Sequence, residues 1–329
     1  MSSALTEVYV DPSIDADTGT GTVGDPYGDL QHAMDTASLG TDGTRFNIKA
    51  GTSEVLTAAL DWSTHGTLTT QQPMVIQGYT AAAGDGGIGV IDGDATYAVI
   101  SAGANYVAFR DMHLTNTGSE DIVDASSTSP AFFNVEFSDS TGYGIEAVNA
   151  VSGLIDSCYF HDLGNGIRAK SSWDITNCHF ANDGTTDMGT CITITYYNGT
   201  IEGCTFSVDG TTDAIAMGRD AMRINACSFL TTGTGDAITG TNYHNQRISN
   251  CLFEGWNKGI EDIDTVFTYY YNNSFYDCTT NIAGSYVDMM DDSGNEQLDG
   301  SPFAKSGADT FANRAAYFAP NNVGLVRAA

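Results

Sequence analysis

Short alternations of apolar and polar residues return along the chain at a nearly constant interval. A six-residue pattern has an aliphatic or aromatic residue first, a small residue fourth and an aromatic residue sixth, as in residues 155–160 and 175–180. Its sixth positions are spaced 23, 23, 20, 26, 23, 24 and 22 residues apart and are Leu114, Phe137, Phe160, Phe180, Phe206, Phe229, Phe253 and Phe275. The alternation predicts strands with one buried face.

A second column of isoleucines keeps the same step. Its members, each expected to open a strand, are Ile122, Ile145, Ile167, Ile192, Ile215, Ile238, Ile260 and Ile282. A period of about 23 residues is too short for a propeller blade and matches one coil of a parallel β-helix. The sequence therefore predicts an all-β, single-stranded parallel β-helix of about nine coils, in which equivalent side chains stack at about the 4.8 Å strand spacing.

The fourth position of the pattern is a cysteine in successive coils, namely Cys158, Cys178, Cys204, Cys227 and Cys251. Stacked side chains at the strand spacing lie farther apart than the roughly 3.8 Å between Cβ atoms that a disulfide needs. The chain has no C-x-x-C pair that would indicate a zinc site. Buried thiols that pack in the core are the expectation, with no metal and no cofactor.

The two ends of the chain differ from the repeat. At the N-terminus, a strand at residues 8–10 precedes a helix for which Asp25 is the predicted N-cap, Pro26 the first residue, and Leu30, Ala33, Met34 and Ala37 the apolar face. Strands at residues 46–52 and 74–79 would then begin the coils. We predict three segments: 1–45 as strand, loop and capping helix, 46–284 as β-helix, and 285–329 as a C-terminal cap or assembly segment.

The chain is strongly acidic, with 41 Asp and Glu against 12 Lys and Arg and a formal net charge of −29. Such a surface repels nucleic-acid phosphates and anionic lipids, so neither is an expected partner. The first ten residues lack the features of a signal peptide, which predicts synthesis in a cytoplasm.

Several segments carry a family resemblance: Tyr9-Val10-Asp11-Pro12, the I-K-A-G-T and V-I-Q-G-Y segments at 48–52 and 75–79, and the N-C-x-F coils. Over roughly residues 5–285 the chain resembles the pectate-lyase-like superfamily of right-handed β-helices, of the kind found in bacteriophage tailspikes and capsid decoration proteins. The resemblance implies right-handed coils and a homotrimer. The R-x-P-x-x-R and W-x-D-H motifs of its lyases are absent, and of its hydrolase motifs only the Asp291-Asp292 pair is present. No catalytic subfamily is matched.

One candidate catalytic column remains, two residues before successive ladder isoleucines: Asp213, Asp236 and Lys258. Stacking would bring the two carboxylates near the roughly 5 Å separation of retaining glycosidases. The alternative is that aspartates at turns bond to nearby backbone. Two other groups are interpreted as surface features: His161, Asp162, Arg168 and Lys170 as an ion-pair patch, and His113, Glu136, Tyr159 and His179 as an outward column.

Aromatic residues form a third feature, which indicates a subunit interface or a sugar-stacking face, with part of the set in the core. They are Tyr196, Tyr197, Tyr243, Trp256, Tyr269, Tyr270 and Tyr271.

The leading functional hypothesis is a non-catalytic structural virion protein of a bacteriophage, either a capsid decoration or a tail-associated protein. Its expected partners are other virion proteins, further copies of itself and a host glycan; it would be made in the host cytoplasm and reside in the virion. The alternative is a polysaccharide depolymerase, a glycoside hydrolase or lyase acting on host surface glycan. A third option is a glycan-binding surface protein, which the missing export signal disfavours.

Overall fold

In a computed structural model the protein is all-β, and its described residues form about seven turns of parallel β-solenoid and a single helix. The structure describes residues 5–14, 18–37, 42–61, 73–100, 106–125, 130–148, 152–170, 172–182, 186–196, 199–218, 222–240, 246–261, 269–283 and 295–297. The chain forms two compact units, Met1–Cys158 and Tyr159–Ala329.

In the first unit, the N-terminal strand and helix precede long parallel strands. The elements are β1 (Thr6–Val10), α1 (Leu30–Thr36), β2 (Thr44–Lys49), β3 (Ser53–Val55), β4 (Met74–Tyr79), β5 (Gly89–Asp92), β6 (Val107–Thr115), β7 (Val123–Asp124), β8 (Ala131–Ser138), β9 (Ser140–Ala147) and β10 (Gly153–Asp156). Strands β1, β2, β4, β6, β8 and β10 pair in that order, all parallel. A second ladder joins β7 to β9.

The capping helix is present, but it starts later than predicted. Asp29, and not Asp25, is the N-cap, and its side chain accepts a hydrogen bond from the His32 N–H at 2.6 Å. Asp25 instead belongs to a tight turn with Thr22. Leu30, Ala33 and Met34 are buried as the spacing predicted. The helix is one turn shorter because Asp25 bonds within the turn and Tyr27 bonds to the first strand, so neither opens a helix.

In the second unit, each coil contributes three short strands. They are β11 (Tyr159–His161), β12 (Leu163–Ala169), β13 (Trp173–Thr176), β14 (His179–Ala181), β15 (Thr190–Ile194), β16 (Gly199–Glu202), β17 (Thr205–Val208), β18 (Asp213–Met217), β19 (Met222–Asn225), β20 (Ser228–Thr231), β21 (Asp236–Gly240), β22 (Arg247–Ser249), β23 (Leu252–Glu254), β24 (Lys258–Glu261), β25 (Tyr269–Tyr271), β26 (Ser274–Tyr276), β27 (Thr280–Ala283) and β28 (Glu296–Gln297).

These strands stack into three parallel ladders, one for each face of the coil. The first ladder is β11-β14-β17-β20-β23-β26-β28, the second is β12-β15-β18-β21-β24-β27, and the third is β13-β16-β19-β22-β25. The register places Ile192, Ile215 and Ile238 directly over one another. Both sequence columns are therefore confirmed as stacked ladders in this unit.

Aromatic stacking fills the core of the second unit. Phe206 lies between Phe180 and Phe229, with ring centroids 5.0 and 4.8 Å away and interplanar angles of 7° and 2°. The column continues to Phe253 and Phe275 at 4.7 and 4.8 Å. The column cysteines are buried and form no disulfide, as predicted. Each coil alone exposes these apolar faces, so neighbouring coils provide the burial that stabilises the fold.

Two details of the repeat prediction are wrong. Over the described residues the structure has about seven turns and not nine. The early strands β1, β2 and β4 pair in one sheet, whereas the sheet that contains the isoleucine column begins, within the described ranges, only at β7. The partner of Ile145 is Val123 and not Ile122. Both candidates are fully buried apolar residues, so hydrophobicity alone did not distinguish them.

One corner of each coil in the second unit is a single residue in the left-handed conformation. Between the third-face strand and the next first-face strand these residues are Asn177, Gly203, Ala226, Asn250 and Asn272, with φ of 54°, 65°, 53°, 56° and 56°. Asn and Gly tolerate this region better than other residues, which explains the recurring Asn-Cys pair.

Our division into segments 1–45, 46–284 and 285–329 stays a prediction. Of the C-terminal segment only residues 295–297 are described, and β28 there pairs with β26. The Asp291-Asp292 pair lies outside the described residues. In the ranges given above, the only helix is far too short to cross a bilayer.

Candidate functional site

The structure brings the predicted residues Asp213, Asp236 and Lys258 together at the start of three neighbouring strands of the second unit. Asp213 Oδ1 accepts a hydrogen bond from the Asp236 backbone N–H at 2.9 Å. Asp236 pairs in register with Lys258, whose Nζ lies 3.3 Å from Asp236 Oδ2. All three side chains are partly buried.

Two further residues, which the sequence analysis missed, complete this cluster. Glu261 forms an ion pair with Lys258, and Asn257 donates from Nδ2 to Asp236 Oδ1 at 2.8 Å. Glu261 lies three residues after Lys258, on the same strand. Strict alternation would put these two positions on opposite sides of the sheet, so sequence spacing carried no signal for the contact. In this strand the two residues between them are the buried ones, and both ends are partly exposed.

The cluster sets the protonation of its members. Burial raises the pKa of the Asp213 carboxyl; the Asp236 N–H lowers it, the Asp236 and Glu261 carboxylates raise it further, and Lys258 lowers it. The hydrogen bond to Glu261, with the nearby Asp236, raises the pKa of Lys258, although burial lowers it. Lys258 is therefore a charged ammonium at neutral pH and has no lone pair with which to abstract a proton.

The residues of the expected ion-pair patch have several different partners. His161 Nδ1 lies 3.1 Å from Asp162 Oδ2. Lys170 lies over the ring of Tyr196, with Nζ 5.5 Å from the centroid. Arg168 pairs in register with Thr193, on the second-face ladder.

The outward histidine column is not purely a surface feature, because His179 is buried. Its ring stacks on Tyr159 with centroids 5.2 Å apart, and Tyr159 also stacks on His161 at 4.4 Å. Burial lowers the pKa of His179 to about 4, so the ring is neutral at physiological pH. The prediction failed because Tyr159 in the adjacent coil stacks on the ring. In the first unit, His113 pairs in register with Glu136 as the column required.

The aromatic set divides between core and surface. Trp256 and Tyr270 are core residues, with 0% and 2% of their surface exposed. Tyr196, Tyr269 and Tyr271 are exposed by 37%, 47% and 39%. Tyr197 and Tyr243 lie outside the described residues.

The first unit contains a carboxyl pair that sequence reasoning missed. Asp121 accepts a hydrogen bond from the Tyr143 N–H at 2.7 Å and shares a side-chain hydrogen bond with Glu146. Burial raises the pKa of Asp121 to about 6, opposed by the Tyr143 N–H and reinforced by Glu146 and Asp124. Across the part of the chain that the structure describes, no group of three or more His, Cys, Asp or Glu is arranged to hold a metal ion.

Comparison with known proteins finds similarity only among solved structures. No protein-family model matches the chain, and no curated protein matches it. Pectate lyase Pel9A is 12% identical with a TM-score of 0.56, over 92% of this chain and 80% of that chain. A rhamnogalacturonan lyase is 16% identical with a TM-score of 0.50, over 83% and 74% of the two chains. The chain has the pectate-lyase-like β-helix fold.

A viral protein shares this β-helix fold as well. Geobacillus virus E2 ORF18 is 14% identical with a TM-score of 0.54, over 85% of this chain, which spans only 57% of the viral one. At such identities the pectate-lyase-like likeness establishes the fold, and one fold hosts many functions. Function must therefore be argued from the side chains of this β-helix.

Proposed function

We propose that this β-helix is a non-catalytic structural component of a bacteriophage particle, either a capsid decoration protein or a tail-associated protein. The observation that carries the proposal is that the best catalytic candidates already form hydrogen bonds and ion pairs with other groups of the protein. The Asp213 carboxylate accepts a hydrogen bond from the Asp236 backbone N–H. Of the two Asp236 carboxylate oxygens, one accepts from Asn257 and the other pairs with Lys258. Lys258 is held in turn by Glu261. Such a network ties successive coils together.

The fold supports the same assignment. Stacked coils with a continuous aromatic core resist local opening, because each coil is held by two neighbours. The solved structure from Geobacillus virus E2 is a viral protein with this fold. The proposed partners are other virion proteins and further copies of the chain, as a homotrimer, together with a host glycan. The proposed location is the virion, after synthesis in the host cytoplasm.

The test is the composition of purified particles. This gene and the genes that surround it would be expressed together, and the particles that form would be separated on a density gradient. The amount of this chain in the particles would then be measured by mass spectrometry. We expect neighbouring genes for capsid or tail proteins, and the chain in fixed ratio to one of them. Mass photometry of the isolated protein should give three times 34.7 kDa. A chain confined to the unassembled fraction would reject the proposal.

A polysaccharide depolymerase is the second candidate, and one observation favours it. Burial and the neighbouring Asp236 carboxylate raise the pKa of Asp213, and two neighbouring carboxyl groups of which one holds its proton more tightly resemble an acid and nucleophile pair. The charge on Lys258 favours a glycoside hydrolase over a lyase that uses this lysine, since a lysine abstracts a proton only as the neutral amine. Oligosaccharide release from neutral and acidic glycans, compared between the native chain and Asp213→Asn, decides. Release that Asp213→Asn abolishes would establish the hydrolase.

A further inference from the structure

An exposed basic and aromatic surface crosses three coils of the second unit. We call it the Arg-Tyr face: Arg223 on β19, Arg247 on β22, and Tyr269 and Tyr271 on β25. The register places Arg223 beside Arg247, Arg247 beside Tyr269, and Ser249 beside Tyr271. All four side chains are exposed. In the opposite direction Arg223 pairs with Thr200, and Thr200 pairs with Asp174. The column of arginines therefore ends, two coils away, at a carboxylate.

The two arginines are unusual in this chain. Basic residues number 12 against 41 acidic ones, yet two stand on adjacent strands, where like charges directly opposite are unfavourable. Other cations are neutralised internally: Arg45 by Glu7 at 3.1 Å, Lys49 by Asp11, and Lys258 by Asp236. Throughout the described ranges, neither Arg223 nor Arg247 takes part in an ion pair.

One acidic residue beside the face, Glu202 on the strand that pairs with β19, bonds to a neighbour other than an arginine. Glu202 accepts a hydrogen bond from Asn225 Nδ2 at 2.9 Å. Asn225 Oδ1 in turn accepts from Ser249 Oγ at 3.0 Å and from Asn250 Nδ2 at 2.8 Å. These hydrogen bonds engage Glu202 and Asn225 within the protein.

The aromatic half of the face is placed to complement the cationic half. The Arg247 guanidinium carbon lies 5.9 Å from the centre of the Tyr269 ring, and 47% of Tyr269 and 39% of Tyr271 are exposed. Exposed tyrosines offer an apolar ring face for packing and a hydroxyl for hydrogen bonding. Guanidinium groups bind carboxylate and sulfate-like oxygens through paired N–H donors.

The geometry points to a binding site for an extended anionic polysaccharide on the Arg-Tyr face. Its carboxylate or sulfate groups would bind Arg223 and Arg247, and its sugar rings would pack on Tyr269 and Tyr271. Equivalent positions recur at about the 4.8 Å strand spacing, which suits a polymer that repeats along its own axis.

This site is separate from the Asp213 column. The Arg-Tyr face lies on the third-face ladder, whereas Asp213, Asp236 and Lys258 lie on the second-face ladder. Binding here therefore requires neither catalysis nor a virion, and failure of one proposal leaves the other standing.

The experiment measures binding of the full chain to immobilised alginate and dextran sulfate, with neutral dextran as the comparison, by biolayer interferometry. The two polyanions separate carboxylate from sulfate as the preferred group. We expect binding to at least one polyanion that weakens with added salt. Arg223→Gln with Arg247→Gln should lower the affinity at least tenfold, and Tyr269→Ala with Tyr271→Ala should lower it similarly.

Two controls make the result specific. Arg45→Gln removes one positive charge from a paired arginine, as each single arginine substitution on the face does, and should leave binding unchanged. Circular dichroism verifies the fold of each variant. Equal binding to neutral dextran, or binding that the double arginine variant retains, overturns the inference. So does a dimer in mass photometry that the same double substitution dissociates, since the occupant is then a second copy.

Discussion

The stacked phenylalanine column makes a quantitative prediction about position within the solenoid. Phe206 has a ring on each side, at 5.0 and 4.8 Å, whereas Phe275 has one described ring partner, at 4.8 Å. Both side chains are fully buried. Truncation of a buried phenylalanine to alanine costs about 3–5 kcal/mol, and one stacked aromatic pair contributes about 0.5–1.5 kcal/mol beyond area burial. We expect Phe206→Ala to cost about 1 kcal/mol more than Phe275→Ala.

The assay is urea unfolding followed by tryptophan fluorescence. Trp173 and Trp256 are 1% and 0% exposed, so their emission reports the core of the second unit. Phe206→Leu serves as the milder companion, because it keeps apolar volume while it removes both ring contacts. Equal losses for the two alanine variants, or a loss below about 1 kcal/mol for Phe206→Ala, would refute coil-to-coil stacking as the source of stability.

Three further predictions concern buried polar groups. Burial raises the pKa of Glu54 from 4.5 to about 7, so the native state binds this proton more tightly and loses stability as pH rises between those values; calorimetry should show that Glu54→Gln flattens this dependence, and an unchanged slope contradicts it. Lys258→Met removes the ammonium 3.3 Å from Asp236 and should lower the free energy of unfolding by about 1 kcal/mol at neutral pH; urea unfolding that shows no loss counts against it. Asn273 is buried and accepts from the Cys251 N–H at 3.1 Å, so Asn273→Ala should cost about 1–3 kcal/mol in urea unfolding, and a neutral substitution would exclude this anchoring role.

Much of the fold was predictable because a solenoid repeats its signal in every coil. The phenylalanine and isoleucine columns mark inward positions many times over, so single irregular coils did not obscure the period. Where the chain offers two equivalent residues the prediction was weaker. Ile122 and Val123 are both buried, and only the pairing with Ile145 identifies Val123 as the ladder member.

The candidate site was predictable only along its column. Asp213, Asp236 and Lys258 share one position in successive coils, so the period alone brought them together. Glu261 and Asn257 reach the cluster through side-chain length and direction, which the period does not encode. The burial of His179 was missed for a related reason, since it depends on ring stacking by Tyr159 in the adjacent coil.

The one-residue corner at Asn177, Gly203, Ala226, Asn250 and Asn272 restricts how such a chain is able to change length. Because that corner is the same in every coil of the second unit, the variation of 20 to 26 residues between successive phenylalanines must be absorbed by the other two connections. Insertions there lengthen a surface loop and leave the stacked columns in phase. Residues can thus be inserted or deleted at two corners of each coil, whereas the third corner keeps a constant length.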